Sequence, residues 1–419
     1  MGILYTILLV RYTSRMGHRM PETNIEKRIE KYWGSKTRQL TIEKEEKFQT
    51  MLQQIGEQFT DPNTEHPVKA LDFILWLKPE PLLEFLKASY PYYKHIKHRF
   101  KPRIRFLAYM LISQKKNLRQ AYNSLTEEEY QLLGFKGKPT YELLREFIYE
   151  RIGIDRFPEF FQTIIEELFI ELKKKKIALG KHVFQDATDI HSLKHDNEAE
   201  YSGYYKHSGY KLDVTLDAET DIPLCYTTMG ITCDEGQNLI PSQKHLSNLG
   251  LKEESRVVDD KYATFPNIAY SETCKVSLYY KIAKHWIYRK EGRSKEIKKL
   301  YQKHHREDDF KVNPDVEFML HYLYKKGDIQ AVGGYYRNQR LKQKNSKEHQ
   351  RKCKKRSSCM EGFFGRVKNT TLLDDRPCKR GWKGFLFRAG AAMIALVFAA
   401  LIRVQNGVYS NLTNVTYIT

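Results

Sequence analysis

The chain has 419 residues, 41% of them hydrophobic and 13% aromatic, which excludes general disorder and leaves room for two or three structural units. Its 71 Lys and Arg against 51 Asp and Glu give a formal charge of +20, more than solubility requires. That excess favours a polyanionic partner, because neutralising phosphates releases condensed counterions.

Residues 1–24 read as a leader or an upstream start. The apolar run 3–10 is short and has no basic residue ahead of it, so it makes a poor signal peptide. Residues 25–180 read as an all-α, DNA-binding domain, with apolar positions three and four apart from 41 to 179. Within it, Ser124-Leu125-Thr126-Glu127 predicts a capping box, with its helix ending near Gly134. Beyond the turn Lys136-Gly137-Lys138-Pro139, a second helix is expected over 140–151. The pair fits a helix-turn-helix or an ordinary helical hairpin.

The texture changes past Lys176. His182-Val183-Phe184-Gln185 predicts a buried strand delivering Asp186 at its end. Residues 210–216 alternate apolar with polar, 217–221 turn, and 222–231 return, which is a hairpin signature. A helix is expected over 238–249, then a short strand at Arg256-Val257-Val258 ending on Asp259. Core character fades between 271 and 355, which reads as an insertion. Its charged stretch 281–308 and its residues 314–323 read as helices, and 330–336 as a turn or short strand. Residues 340–356 carry nine Lys or Arg against Glu348 alone, a run that is either solvated linker or faces DNA.

Glu361 follows directly, in Glu361-Gly362-Phe363-Phe364-Gly365-Arg366-Val367-Lys368. On a helix, Lys368 returns to the face of Glu361 after two turns. The apolar run 389–402 is fourteen residues, shorter than the about 20 that span a bilayer, so a buried core helix is expected and no membrane partner. Residues 406–419 read as a tail. The six cysteines, Cys225, Cys233, Cys274, Cys353, Cys359 and Cys378, show no Cys-x-x-Cys pair, as expected of reduced thiols in a cytosolic protein.

Gln185-Asp186-Ala187-Thr188, Ile222-Pro223-Leu224, Asp259-Asp260-Lys261-Tyr262 and the Glu361 to Lys368 motif together resemble the DDE transposases of bacterial insertion sequences, over residues 181–405. The resemblance implies an α/β fold: an RNase H-like mixed sheet with flanking helices, beside the all-α N-terminal domain, with a mostly helical insertion before the catalytic Glu. The core would then occupy 181–270 and 356–405, with 271–355 inserted. In such enzymes the first Asp ends the first core strand, the second follows the fourth, and the Glu lies on a later helix. Carried over, these are Asp186, Asp259 and Glu361, holding two Mg²⁺ ions for which Mn²⁺ substitutes. Asp259 is preferred to Asp260 because the family has an aromatic three residues after the acid, here Tyr262. Lys354, Lys355, Arg356, Arg366 and Lys368 are the expected DNA-contacting cations. Some relatives carry a Tyr and an Arg upstream of the Glu, where this chain has Lys354 and Ser357.

The implied activity is binding of terminal inverted repeats in double-stranded DNA, metal-dependent hydrolysis at the element ends, and joining of the 3′-OH to target DNA. A homodimer or larger complex is expected, acting in the bacterial cytoplasm at the nucleoid. A transposase-derived DNA-binding protein without activity and a metal-dependent nuclease are the competing expectations.

Overall fold

A computed structural model describes residues 69–88, 100–113, 115, 117–193, 195–281, 314–343, 346–370, 373, 381–415 and 418. The leader, the charged stretch 281–308 beyond Lys281, and Cys378 lie outside the described residues. The sheet is mixed. Strand β1 (His182–His191) pairs antiparallel with β3 (His207–Asp217), and β3 pairs antiparallel with β4 (Pro223–Gly230) and with the short β2 (Glu200–Ser202) on its other edge. On the far side of β1, β5 (Ser255–Val258) and then β6 (Ser277–Tyr280) run parallel to it. The spatial order is therefore β4, β3, β1, β5, β6.

The β3–β4 hairpin falls where the alternation predicts it. Asp217 closes its turn by accepting from the backbone N–H groups of Glu219 and Thr220 and from the Thr220 hydroxyl. The helix predicted over 238–249 is Leu239–Asn248. Two strand expectations need correcting. β1 does not stop at Asp186, because its pairing with β3 continues to His191 opposite Gly209. The sheet also extends past residue 270, since β6 adds a parallel strand beyond the helix Phe265–Thr273.

Helices cover the sheet. Lys347–Thr370 lies across β1, β5 and β6 and buries His349, Arg356, Met360, Phe363 and Val367, a stripe at helical spacing. This one helix crosses the expected 355/356 boundary, so the end of the basic run is helical rather than linker. Pro314–Lys325 forms the predicted helix. Residues 330–336, expected as a turn or strand, instead lie within a helix, Ile329–Gln343. Gly333 is where this helix crosses Phe265–Thr273, and a Cβ there would overlap the Phe265 carbonyl oxygen.

The N-terminal helices, from Ala70–Leu75 to Phe157–Lys174, join the sheet in one compact unit, 65–419. They gather around the C-terminal helix Gly381–Gln405, which packs on Phe157–Lys174, Phe100–Ile112 and β4. Gly390 admits Phe157 to that contact, and Phe160 meets Phe398 edge-on. The C-terminal helix is 25 residues long, so its length would cross a membrane; 83% of its most apolar window is buried inside the protein. Burial, not shortness, is what makes it a core helix.

The capping box lies two residues past its predicted place. Thr126 caps Glu127–Leu132 reciprocally with Glu129, while Ser124 closes the preceding helix. The next helix, Tyr141–Glu146, is capped by Thr140 as predicted and continues as a wider turn over Phe147–Gly153, and half-buried Arg145 and exposed Arg151 are paired with Glu142, Glu150 and Glu146. Leu144, Phe147, Ile148 and Ile152 face inward. An outer face whose arginines are matched by glutamates offers a phosphate backbone little, so the geometry favours the ordinary helical hairpin.

Candidate functional site

The parallel register between β1 and β5 sets the first feature. Phe184 lies opposite Val257, and continuing the register by two residues puts Asp259 across from Asp186. β5 ends at Val258 and Asp259 enters a 3₁₀ turn, Asp260–Tyr262. Two carboxylates thus sit side by side where the parallel pairing stops.

Arg356, buried on the overlying helix, ties them together. Its Nη1–H donates to Asp186 Oδ2 at 2.5 Å, and its Nη2 lies 3.6 Å from Asp259 Oδ1. Burial pushes the Asp186 carboxyl up to about 6, Arg356 opposes that rise, and Asp259 and Glu235 add to it. Two carboxylates that share one cation and are partly desolvated form a site of negative potential, suited to a hard divalent ion with oxygen ligands.

A buried polar network on the other face of the sheet holds this geometry. Successive strand residues point to opposite faces, so Gln185 points away from Asp186, and it donates to Asp213 at 2.9 Å. Asp213 also accepts the Tyr262 hydroxyl at 2.5 Å. It therefore links the residue before Asp186 to the residue three after Asp259. Burial pushes Asp213 up to about 7, against the hydrogen bonds from Tyr262, Gln185 and Asn238. Arg256, fully buried, donates to Gln185 and Ser242 and is paired with Glu253. Tyr262 is wholly buried, so it is not a surface on which a base could stack, and Trp382 packs against Tyr210 and Phe385.

The remaining predicted residues are distributed differently. Glu361 lies five residues past Arg356, about 140° around the helix. It is exposed and makes no hydrogen bond or ion pair among the described residues. The structure thus couples Asp186 to Asp259, with the Glu361 carboxylate on the open side of the same helix. Of the expected DNA-contacting cations, Arg356 is buried between carboxylates rather than presented to solvent, Arg366 donates to Asp221 at 3.1 Å, and Lys368 lies 4.0 Å from Asp189. Lys354 and Lys355 are exposed, Lys355 reaching the Ala218 carbonyl. Asp260 opens the 3₁₀ turn, and Arg356 reaches its neighbour instead.

Two groupings escape the sequence reading. Glu235 is almost fully buried, 2.8 Å from Lys211 and 3.4 Å from Lys261, and raises the Asp186 pKa. Its signal is an acidic pair, Asp234-Glu235, in the connection after β4. Asp189, His191 and His207 converge at the far end of β1, with potential ligand atoms all within 4.8 Å of one another. Here the signal is Asp-x-His within a strand, which puts both side chains on one face.

No protein family model matches the chain, and no curated protein matches it. Among solved structures, the chain is similar to a piggyBac transposase in a cryo-EM structure of its synaptic complex with hairpin DNA. That likeness has 11% identity and a TM-score of 0.35, and covers 82% of this chain and 80% of the other. A likeness this loose determines neither fold nor activity.

Proposed function

We propose that this chain is a DDE-type transposase of a bacterial insertion sequence, acting on double-stranded DNA in the cytoplasm at the nucleoid. The observation that carries the reading is the pairing of Asp186 with Asp259 where the parallel pairing of β1 and β5 stops, beneath the helix that bears Glu361. The strand order supports an RNase H-like core: three antiparallel strands followed by two parallel to the first.

The donor set fits Mg²⁺, because it offers carboxylate oxygens and no thiolate, and already holds a cationic guanidinium. Asp186, Asp259 and Glu361 would hold two such ions, which supply an activated water and neutralise the leaving oxygen when bound. The chain's own residues do the rest. Arg356 gives up its bond to Asp186 to free the carboxylate oxygens, which leaves its guanidinium beside the reacting phosphate. Glu361, about 140° around the helix from Arg356, completes the acids by a rotation of this helix about its axis when DNA and metal bind. Lys354, Lys355, Arg366 and Lys368, on the same helix, meet the backbone of the element end. Water attack breaks the phosphorus–3′-oxygen bond and leaves a 3′-OH, which then attacks a target phosphodiester, forming a new phosphorus–oxygen bond as the target's own 3′-oxygen leaves as a hydroxyl. Joining two ends requires at least two copies of the chain.

The test is a cleavage and strand-transfer assay on duplex DNA carrying the inverted repeats that flank the coding region, with Mg²⁺ or Mn²⁺. Nicking with 3′-OH ends and joined product is the expected result. Asp186→Asn, Asp259→Asn and Glu361→Gln should each abolish cleavage and leave end binding in place; cutting retained in any of the three overturns its assignment. Cleavage without joining would identify a nuclease instead. Arg356 favours a second reading, a transposase-derived DNA-binding protein, because a guanidinium that satisfies both aspartates removes the need for a metal. Binding of ends with no cleavage in either metal would establish that reading.

A further inference from the structure

We propose that Asp189, His191 and His207 form a second metal site, selective for a borderline transition-metal cation such as Zn²⁺ over Mg²⁺, and separate from the Asp186–Asp259 pair. The site is built on paired strands. Asp189 and His191 are two apart on β1, so their side chains share a face, and His207 begins β3, which pairs with this end of β1. Gln185, on the same face as Asp189, points away from Asp186, which places the two carboxylates on opposite faces of one strand.

The hydrogen bonding of His207 calls for a cation. Its Nδ1 lies 3.1 Å from the Ser208 carbonyl oxygen, which only accepts, so Nδ1 carries a proton. Its Nε2 lies 2.8 Å from Asp189 Oδ2, a second acceptor. A neutral ring would aim a lone pair at a carboxylate. Either a second proton or a metal ion shared by the two groups removes that conflict. A third donor within reach is what a metal site requires and a proton does not. His191 stacks on His207 with ring centroids 3.6 Å apart and planes 17° from parallel. That brings another imidazole nitrogen within 4.8 Å of the carboxylate and of the His207 nitrogen, and a turn of the His191 ring out of the stack would aim its in-plane lone pair at an ion held there. A ligating histidine commonly gives its other N–H to a backbone carbonyl, as His207 does to Ser208.

Two imidazoles and one carboxylate, with open positions facing solvent, are the donor set of catalytic zinc and non-haem iron centres, and nitrogen donors disfavour Mg²⁺. Two ligands of one zinc ion lie no more than about 4.2 Å apart, given bonds near 2.1 Å. The widest pair here, at most 4.8 Å, closes with a small rotation of exposed His191. Asp189 also lies 4.0 Å from Lys368. A metal on Asp189 therefore competes for the partner of that lysine and couples the site to the helix carrying Glu361.

The full chain, stripped of metal by a chelator and dialysed, should bind one equivalent of Co²⁺ with a visible d–d band, displaced by Zn²⁺ and unaffected by millimolar Mg²⁺. His191→Gln should weaken Co²⁺ binding by about 100-fold or more; because His191 is exposed, this variant keeps its fold, which circular dichroism checks. Asp186→Asn combined with Asp259→Asn should leave the band intact, so failure of the transposase reading and failure of this site are read separately. The proposal falls if the wild type shows no band, if His191→Gln binds as the wild type does, or if the double aspartate variant loses the metal.

Discussion

Strand β1 carries two clusters that differ in donor chemistry. Near its middle, Asp186 meets Asp259 under a buried arginine, with oxygen donors only. At its end, Asp189 meets two stacked imidazoles near solvent. The first site depends on long-range pairing: the register of β1 with β5 and a helix 170 residues along the chain from Asp186. The second is nearly local, drawn from one hairpin-like pair of strands. Charge placement follows the same division. The inner pair already has a cation from the protein, whereas the outer cluster has Lys368 only at 4.0 Å. One sheet can thus offer a hard-cation site and a borderline-cation site without mixing their ligands.

The comparison breaks most decisively at the inner pair. Asp186→Asn or Asp259→Asn should reduce Mg²⁺-dependent DNA cleavage by on the order of 10³-fold, since charge stabilisation at the reacting phosphate is lost. Initial rates on an end substrate check this. A loss confined to Co²⁺ binding at the outer cluster, with cleavage unchanged, would reverse the roles of the two sites.

The next largest effect concerns Asp213, which braces the inner pair from the opposite face. Its carboxyl stays protonated in the folded protein up to about pH 7, while the unfolded chain ionises near 3.8. The sign follows directly. Between those values the unfolded state releases a proton that the folded state keeps, so stability falls as pH rises through this window and is level above it. Relative to Asp213→Asn, the wild type should lose about 3 kcal/mol between pH 4 and pH 7.5. Denaturant titrations across that range measure the slope, and the constant offset from altered hydrogen bonding drops out. A flat difference would mean that Asp213 is ionised in the fold and that Tyr262 and Gln185 brace a carboxylate.

Arg356 tests whether the inner pair wants a cation at all. Arg356→Met leaves two partly buried carboxylates facing each other and should cost about 2 kcal/mol in metal-free protein, less than a fully buried pair because Asp186 and Asp259 retain some solvent. Saturating Mg²⁺ should close most of that gap by mass action on the folded state. A gap that persists in Mg²⁺ would show that the arginine, not a metal, is the resident partner.

These sites were unequally legible in the sequence. The β3–β4 hairpin and the helix after it show through local alternation and periodicity, which need only neighbouring residues. Asp186 and Asp259 could be named from short motifs, but their contact is a register relation across 73 positions, and Arg356 enters only because one helix runs unbroken from Lys347 to Thr370. Charge density made residues 340–356 read as linker or DNA-facing, yet burial of His349 and Arg356 holds the last turns in the core. Residues 330–336 read as a turn or short strand for a related reason: the close helix crossing that Gly333 permits is set by Phe265, far away in sequence. The Asp189 cluster was hidden because Asp-x-His matches no helix or Cys-pair spacing, and its third member belongs to the next long strand.

The smallest expected effect separates two adjacent acids. Asp259 is the residue that the β1–β5 register brings opposite Asp186, and Arg356 reaches its carboxylate. Asp260 already belongs to the 3₁₀ turn, and on an extended segment it would point to the other side. Asp260→Ala should therefore change cleavage by only about two- to threefold and stability by about 0.5 kcal/mol or less, as expected of a substitution outside buried networks. Parallel rate measurements on Asp259→Ala and Asp260→Ala give the contrast directly. If Asp260→Ala is inactive while Asp259→Ala still cuts, β5 slips by one residue in the working enzyme. A one-residue slip moves every side chain of that strand to the opposite face, so Arg256 would leave its buried pairing with Glu253 and Gln185. That rearrangement would appear as a large stability change on forming the DNA complex, which makes the slip testable apart from the rates.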